Sequence, residues 1–331
     1  MESLVLKKLV VNGCPTNGKM SFMKLLLAVD QSKDSKVAIN LLRKFQWPAG
    51  SSLLLLHVTT IDDEKRAAST KTSKYKKSGG MGKPIPDIHA ELRRVEKLLA
   101  SETLKVQSII VKGIPGQEIL AAIRRKKIDL VVLGSRGLSR VSGMFMGSVS
   151  GWVLKEASCS VLVGRPTTGK AQSLSTLKLL LAIDGSPDAC KAAHFLKGLT
   201  LPAQSKVLLL HVIKKQLYET EQLVNRAGKS WTEFSKLAKD LCKDRGIVGV
   251  RILKDARDAL SSFPFNIEER LAKGHEASAI LKVARQQKAD LVVVGSKGTT
   301  GLRRILMGSV SHHVSQHAPC SVLVLRSLKK S

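Results

Sequence analysis

The sequence predicts an α/β protein made of two tandem domains, each a five-stranded, mainly parallel sheet with helices on both faces. Three observations predict it. Short apolar runs such as Lys24-Leu-Leu-Leu-Ala-Val29 and Asp129-Leu-Val-Val-Leu133 read as buried parallel strands. These runs alternate with stretches of helical periodicity, the order of β–α–β units with right-handed crossovers. The pattern then occurs twice: 24–58 matches 178–212 at an offset of 154, and 87–165 matches 248–326 at an offset of 161.

The first copy opens with a strand at 24–29. A helix follows over about 34–46, with apolar spacing at Val37, Leu41, Leu42 and Phe45. The next strand, 52–58, contains Leu54-Leu-Leu-His57-Val58, matched by Leu208-Leu-Leu-His211-Val212, and Pro48 before it matches Pro202. Then come a helix (87–101), a strand (106–111), a helix (115–127), a strand (129–133), a glycine-rich loop, a helix (147–157) and a strand (160–164). The second copy repeats this at +161, with 267–272 as its third strand. The expected boundaries are an N-terminal extension 1–22, domains 23–165 and 177–326, a linker 166–176 and a basic tail 327–331.

The two long connections differ. Residues 65–83 carry seven basic residues and no acid, a composition that reads as disordered. Residues 213–247 hold Leu217, Leu223, Val224, Trp231, Phe234, Leu237, Ala238 and Leu241 and read as helical. Gly13-Cys-Pro-Thr-Asn-Gly18-Lys19 fits most of a phosphate-binding P-loop. However, Met20 stands where the magnesium-binding hydroxyl belongs, and a strand follows instead of a helix, so it is not read as one.

A length of 331 residues suits two domains, and with 43% hydrophobic but only 4% aromatic residues their cores must be aliphatic. No apolar run reaches the roughly 18 residues of a membrane helix. The N-terminus lacks a secretory pattern. Five cysteines without a Cys-x-x-Cys pair argue against a disulfide framework. The expectation is a reduced, cytoplasmic protein without membrane insertion. The formal charge is +29, with 29 basic and 13 acidic residues in 1–170 and 26 and 13 in the rest, so the excess covers both halves. Such a field attracts nucleic acid, anionic lipid or polyphosphate, or is simply a solvated surface. Few aromatics and no nucleic-acid motif weigh against dedicated nucleic-acid recognition.

The chemistry concentrates at Gly134-Ser-Arg-Gly137, nine residues, then Gly147-Ser148-Val149-Ser150, and again at Gly295-Ser-Lys-Gly298, nine residues, then Gly308-Ser309-Val310-Ser311. Each copy joins an apolar strand to a helix start. Glycines admit a close approach to the backbone, and the helix end offers N–H groups and a positive dipole, so the unit suits phosphate. An ordinary βα turn also needs glycine, but the same spacing and ending twice favours a site. Asp30 and Asp184 lie just past the first strand of each copy, where open α/β sheets bind ligands, or else cap a turn. His57 and His211 are read as facing the core or a turn, with no metal site expected. Arg136, Arg140, Lys297, Arg303 and Arg304 either screen phosphate charge or face water. Cys159 and Cys320 are read as packing residues. No nucleophile–base or acid pair marks a fast enzyme.

These residues resemble the universal stress protein family. Its Gly-x2-Gly-x9-Gly-Ser signature is complete in both halves. The aspartate after strand one, the His-Val ending strand two and the closing Ala318-Pro-Cys-Ser-Val-Leu-Val324 fit it as well, with Ala157-Ser-Cys159 in the first half. The resemblance covers about 24–165 and 177–326 and implies Rossmann-like domains that bind adenine nucleotide. It places Asp30, Val58, Asp184 and Val212 near the adenosine. It assigns the phosphates to Gly134, Gly137, Gly147 and Ser148, and to Gly295, Gly298, Gly308 and Ser309. Gln31 departs from the family's glycine while Gly185 keeps it, so the second half is expected to be the better site. The implied ligand is ATP, with or without Mg. The implied role is an ATP-binding stress-response protein acting through nucleotide-dependent conformation or partner binding, with at most slow hydrolysis. A nucleotide hydrolase or phosphotransferase is the alternative, and a polyanion or nucleic-acid binder using the basic surface is a third reading. An internal pseudo-dimer across 160–164 and 321–325, and a homodimer, are expected from the same resemblance.

The basic connection gives a direct test. Deleting 65–83 is expected to leave ATP binding intact, to lower affinity for duplex DNA at low salt and to flatten its salt dependence, because counterion release follows the number of phosphates neutralised. Equal binding with an equal salt slope would assign the stretch no such role.

Overall fold

The computed structural model describes residues 22–60, 87–137, 146–167, 175–186, 192, 195–196, 198–214, 246–261, 265–298 and 307–326. The P-loop-like stretch 13–19, the basic stretch 65–83, most of the apolar connection 213–247, Arg140, Arg303 and Arg304 lie outside these residues. The chain divides into two compact units that carry the elements of the first and second repeats, and each is described by itself.

The first unit runs β1 (Lys24–Ala28), α1 (Lys33–Leu42), β2 (Ser51–Thr59), α2 (Ile88–Leu99), β3 (Leu104–Lys112), α3 (Pro115–Lys126), β4 (Leu130–Gly134), α4 (Ser148–Glu156) and β5 (Ser160–Gly164). The strands lie in the order β3-β2-β1-β4-β5, every neighbouring pair parallel. The second unit holds β6 (Lys178–Ala182), β7 (Lys206–Lys214), a helical stretch 246–259, β8 (Asn266–Gly274), α5 (Glu276–Gln286), β9 (Leu291–Gly295), α6 (Ser309–His317) and β10 (Ser321–Leu325). Its strands lie in the equivalent order β8-β7-β6-β9-β10, again parallel. The predicted α/β class with two tandem five-stranded parallel sheets is therefore observed.

Consecutive residues Leu25, Leu26 and Leu27 of β1 are 1%, 0% and 0% exposed, which requires cover on both faces of the strand. In the first unit α1 packs on β4 and β5 and touches α2, while α3 packs on β1 and β2 and touches α4. The strands β3 and β8 lie at an end of each unit's order and alternate in burial, with Lys105, Lys112, Glu268, Glu269, Arg270 and Lys273 along them. Charge of this kind discourages pairing with a foreign strand. It also shortens the apolar signal, so β8 extends beyond the expected 267–272. The expected helix 34–46 stops at Leu42. Beyond its C-cap Arg43, Phe45 packs edge-to-face on Trp47 with ring centroids 5.7 Å apart. No helix among the described residues is long and apolar enough to cross a membrane.

Side chains outside the motif fix the strand register. Asp129 Oδ2 accepts from Lys24 N at 2.8 Å and Asp290 Oδ2 from Lys178 N at 2.9 Å, tying the start of β1 to β4 and of β6 to β9. His57 Nδ1 donates to the Val29 carbonyl at 2.7 Å, and His211 Nδ1 to the Ile183 carbonyl at 2.7 Å, joining the far ends of the first two strands of each unit. Both histidines are thus turn-holding groups, as their sequence context suggested.

Two glycines give opposite expectations. A Cβ on Gly164 would lie 2.7 Å from the Ala38 backbone, so α1 can settle on β5 only over a bare Cα. A Cβ on Gly151, inside α4, would meet only Met146 Sδ at 3.9 Å. In urea denaturation Gly164→Ala is expected to lose about 1–3 kcal/mol through overpacking. Gly151→Ala is expected to gain about 0.5–1 kcal/mol of helix propensity. Equal stability of the two variants would contradict this packing.

Candidate functional site

In each unit the first strand has the second on one side and the fourth on the other. This is a topological switch point, where crossovers diverge and leave a crevice at the carboxyl ends of the strands. A cavity of about 230 Å³ opens there in the first unit and one of about 450 Å³ in the second. The first is lined by Asp30, Val58, Gly134, Gly137, Gly147 and Ser148, and the second by Asp184, Val212, Gly295, Gly298, Gly308 and Ser309. All twelve residues singled out in the sequence are therefore brought together, six in each pocket.

The turn after the first strand is built by its aspartate. Asp30 Oδ1 accepts from Ser32 N at 3.1 Å, and Asp184 Oδ1 from Ser186 N at 2.9 Å. The residue between them is left-handed in both copies, Gln31 at φ 61° and Gly185 at φ 77°. The departure at Gln31 thus keeps the turn, at a strain of about 1–2 kcal/mol for a side chain in that conformation. The other carboxylate oxygen faces the glycine loop: a Cβ on Gly137 would lie 3.0 Å from Asp30 Oδ2, and one on Gly298 3.0 Å from Asp184 Oδ2. The second glycine of each motif therefore lets the carboxylate reach the loop.

The loop itself is closed by backbone bonds. Gly147 N donates to the Ser135 carbonyl at 2.8 Å and Gly308 N to the Ser296 carbonyl at 2.7 Å. The serines at the ends of the Gly-Ser-Val-Ser motifs turn inward, Ser150 Oγ donating to the Gly134 carbonyl at 2.7 Å and Ser311 Oγ to the Gly295 carbonyl at 2.6 Å. Ser148 and Ser309 are exposed at the cavity. Gly147 and Gly308 are the N-caps of α4 and α6, and neither helix start has a side-chain cap. The first-turn amides, which have no acceptor within a helix, face the pocket end of each motif. Gly134 has a further duty, since a Cβ there would lie 2.7 Å from Ser35 N at the start of α1.

Several residues that wall or support the pockets gave no local signal in the sequence. Asp34, 2% exposed, accepts from Ser135 Oγ at 2.5 Å and lies 3.8 Å from Arg136 Nε, so it anchors both the loop and its cation. Pro115 and Ile119 of α3 wall the first pocket, and Ile280 of α5 the second. The second pocket also takes Val248 and Ile252 from the 246–259 helix and the Lys214–Glu276 ion pair, 2.9 Å long, at its rim. These wall residues share only a position beyond a strand's carboxyl end, the side on which open α/β sheets bind ligands. Arg136 and Lys297 line the two pockets. Cys159 is buried, and burial pushes its thiol up to about 12, as expected of a packing residue.

The model of the Universal stress protein family matches residues 21–165 and 176–326. The chain belongs to the universal stress protein family. Universal stress protein YxiE of Bacillus subtilis is 32% identical over 149 residues, covering 45% of this chain and 98% of that protein. A universal stress protein of Methanocaldococcus jannaschii is 30% identical over 154 residues, covering 46% of this chain and 84% of that one. Among solved structures, a universal stress protein from Archaeoglobus fulgidus matches the fold with a TM-score of 0.56 at 18% identity, covering 93% of this chain and 98% of that one. The tandem arrangement follows from the double match of the family model.

Burial raises the Asp30 pKa above its usual value, and neighbouring Asp34 adds to this, against bonds from Ser32 that lower it. A carboxyl group raised on folding disfavours the folded state once it ionises, so its cost is absent at acid pH and present at neutral pH. Asp30→Asn, which keeps an acceptor for Ser32 N, is expected to be more stable than the parent at pH 7. That advantage should fade as the pH falls through the carboxyl range. An advantage that grew on acidification would contradict the assignment.

Proposed function

We propose that each half binds an adenine nucleotide, ATP with or without Mg, and that the protein acts through nucleotide-dependent conformation or partner binding, with at most slow hydrolysis. The observation that carries this reading is the convergence, in both halves, of an acid, an apolar wall and a glycine loop on one helix N-terminus. Leu56, Val58, Ile119 and Leu133 offer a purine an apolar surface, and Leu210, Val212, Ile280 and Val294 do so in the second half. The Asp30 and Asp184 carboxylates are acceptors for hydroxyl or amino groups of the nucleoside. The phosphates would take the amides at the starts of α4 and α6, with Arg136 or Lys297 supplying charge. Magnesium, when it accompanies the nucleotide, neutralises phosphate charge. In this reading the binding domains are 23–165 and 177–326, joined by 166–176.

Gly308 separates binding from folding. Its φ of −75° and ψ of 158° suit any residue, and a Cβ would come no nearer than 3.4 Å to the Ser296 carbonyl. Gly308→Val is therefore expected to fold, to close the approach to the α6 amides and to reduce ATP bound in equilibrium dialysis from two per chain to one. Gly147→Val should do the same for the first half. Unchanged stoichiometry and affinity in a folded Gly308→Val chain would sink the reading. Sustained hydrolysis above about one turnover per second, in the ordinary enzyme range, would favour a hydrolase instead.

A further inference from the structure

The second pocket has an apolar wall on each face of its sheet. His211 and Leu271 are paired in register across β7 and β8, so their side chains leave the sheet on the same face. The 246–259 helix lies against them: a Cβ on Gly249 would come within 2.7 Å of Leu271 Cδ1 and 2.9 Å of His211 Cδ2. Val212, the next residue of β7, alternates to the opposite face. There α5 packs on β7 and β8 and adds Ile280 to the pocket. Right-handed crossovers require this division, because the chain leaves β7 outward to β8 and returns from β8 inward to β9.

The close approach at Gly249 brings two of its neighbours to the cavity. Val248 and Ile252 are four residues apart on one helix face, and both line the second pocket. Ile252 Cδ1 would lie 3.0 Å from a Cβ on Gly185, so it reaches the turn that carries Asp184. Val248 is 36% exposed and Ile252 half-buried, which leaves each with apolar surface that a ligand can cover.

The duplication supplies an internal control. At −161 the counterparts of Val248, Gly249 and Ile252 are Asp87, Ile88 and Glu91. Asp87 is the N-cap of α2, bonded to His89 N at 2.9 Å. Glu91 is taken up by Arg94, whose Nε and Nη2 donate to it at 2.9 and 2.7 Å. The first unit therefore spends these two positions on its own helix, and the second turns them to the pocket.

We propose that Val248 and Ile252 are specificity-determining residues that clasp the base of the nucleotide against Val212 and Ile280 in the second half alone. The inference rests on the nucleotide reading above. A planar heteroaromatic ring is thin enough to lie between two apolar walls, and such walls meet its faces and not its polar edge. They favour a ligand with a base over a base-free phosphate without reading which base it is. The two sites of the chain are thus inequivalent, the second gaining more from the base and the first depending more on the phosphates.

Equilibrium dialysis of ATP against the full chain carrying Gly147→Val reads the second half alone. In that chain Ile252→Ala should weaken ATP binding by about tenfold, the scale on which an apolar pocket responds to lost carbon atoms. Tripolyphosphate, a base-free competitor, should displace ATP with an unaltered inhibition constant. Ile252→Glu, the residue type of the first unit, should weaken ATP at least as far. Val250→Ala, on the same helix but 57% exposed and no part of the pocket lining, should change nothing. In a chain carrying Gly308→Val, which reads the first half, Ile252→Ala should also change nothing. Parental ATP affinity in folded Ile252→Ala and Ile252→Glu chains overturns the clasp alone. An equal loss for tripolyphosphate, for Val250→Ala or in the first half does so too. A Gly147→Val chain that binds no ATP at all overturns the nucleotide reading and the clasp with it.

Discussion

Everything at the pocket depends on where the strand order reverses. Because β1 has β2 on one side and β4 on the other, the connections leaving β1 and β4 part and cannot cover the carboxyl ends between them. The chain then fills that opening with short, precisely bonded pieces: an aspartate turn after β1, a glycine loop after β4 and an uncapped helix start. Each needs the others at close range. The carboxylate of Asp30 reaches the loop only because Gly137 has no side chain, and the loop lies flat only because Gly134 lets α1 approach. The second unit repeats the turn and the loop with its own residues, Asp184 against Gly298 and Gly308 bonded back to Ser296.

Much of this was legible in the sequence, for identifiable reasons. Inner strands covered on both faces must be almost wholly apolar, so β1, β4, β6 and β9 stand out as runs of Leu, Val and Ala. The glycine spacing is read directly because the backbone, not a side chain, is what approaches. Strands such as β8 were harder, because half their residues face water and carry charge. The helix after β1 was drawn too long because Phe45 keeps helical spacing, although it packs on Trp47 past the helix end. Asp34 was invisible for a different reason. Its partner, Ser135, lies 101 residues away, and no local pattern reports such a pairing.

The two pockets share a frame and differ at the rim. In the second, Val248 and Ile252 contribute apolar surface where the first repeat has Asp87 and Glu91, and the Lys214–Glu276 pair stands where the first has Thr60 and Pro115. Duplication has therefore held the turn, the loop and the helix start while the surrounding wall diverged. That division follows the physics: backbone geometry tolerates few substitutions, whereas a wall residue need only fill space of suitable polarity.

Cys159 sits just before β5, 1% exposed, its thiol pushed up to about 12 by burial. A thiol that does not ionise in the closed fold cannot attack an alkylating reagent until the structure around it opens. The rate at which it is labelled therefore measures how often the first unit breathes, on the free-energy scale of local unfolding rather than of intrinsic cysteine chemistry. The cysteine thus acts as a built-in clock for opening, and one that any ligand favouring the closed state should slow.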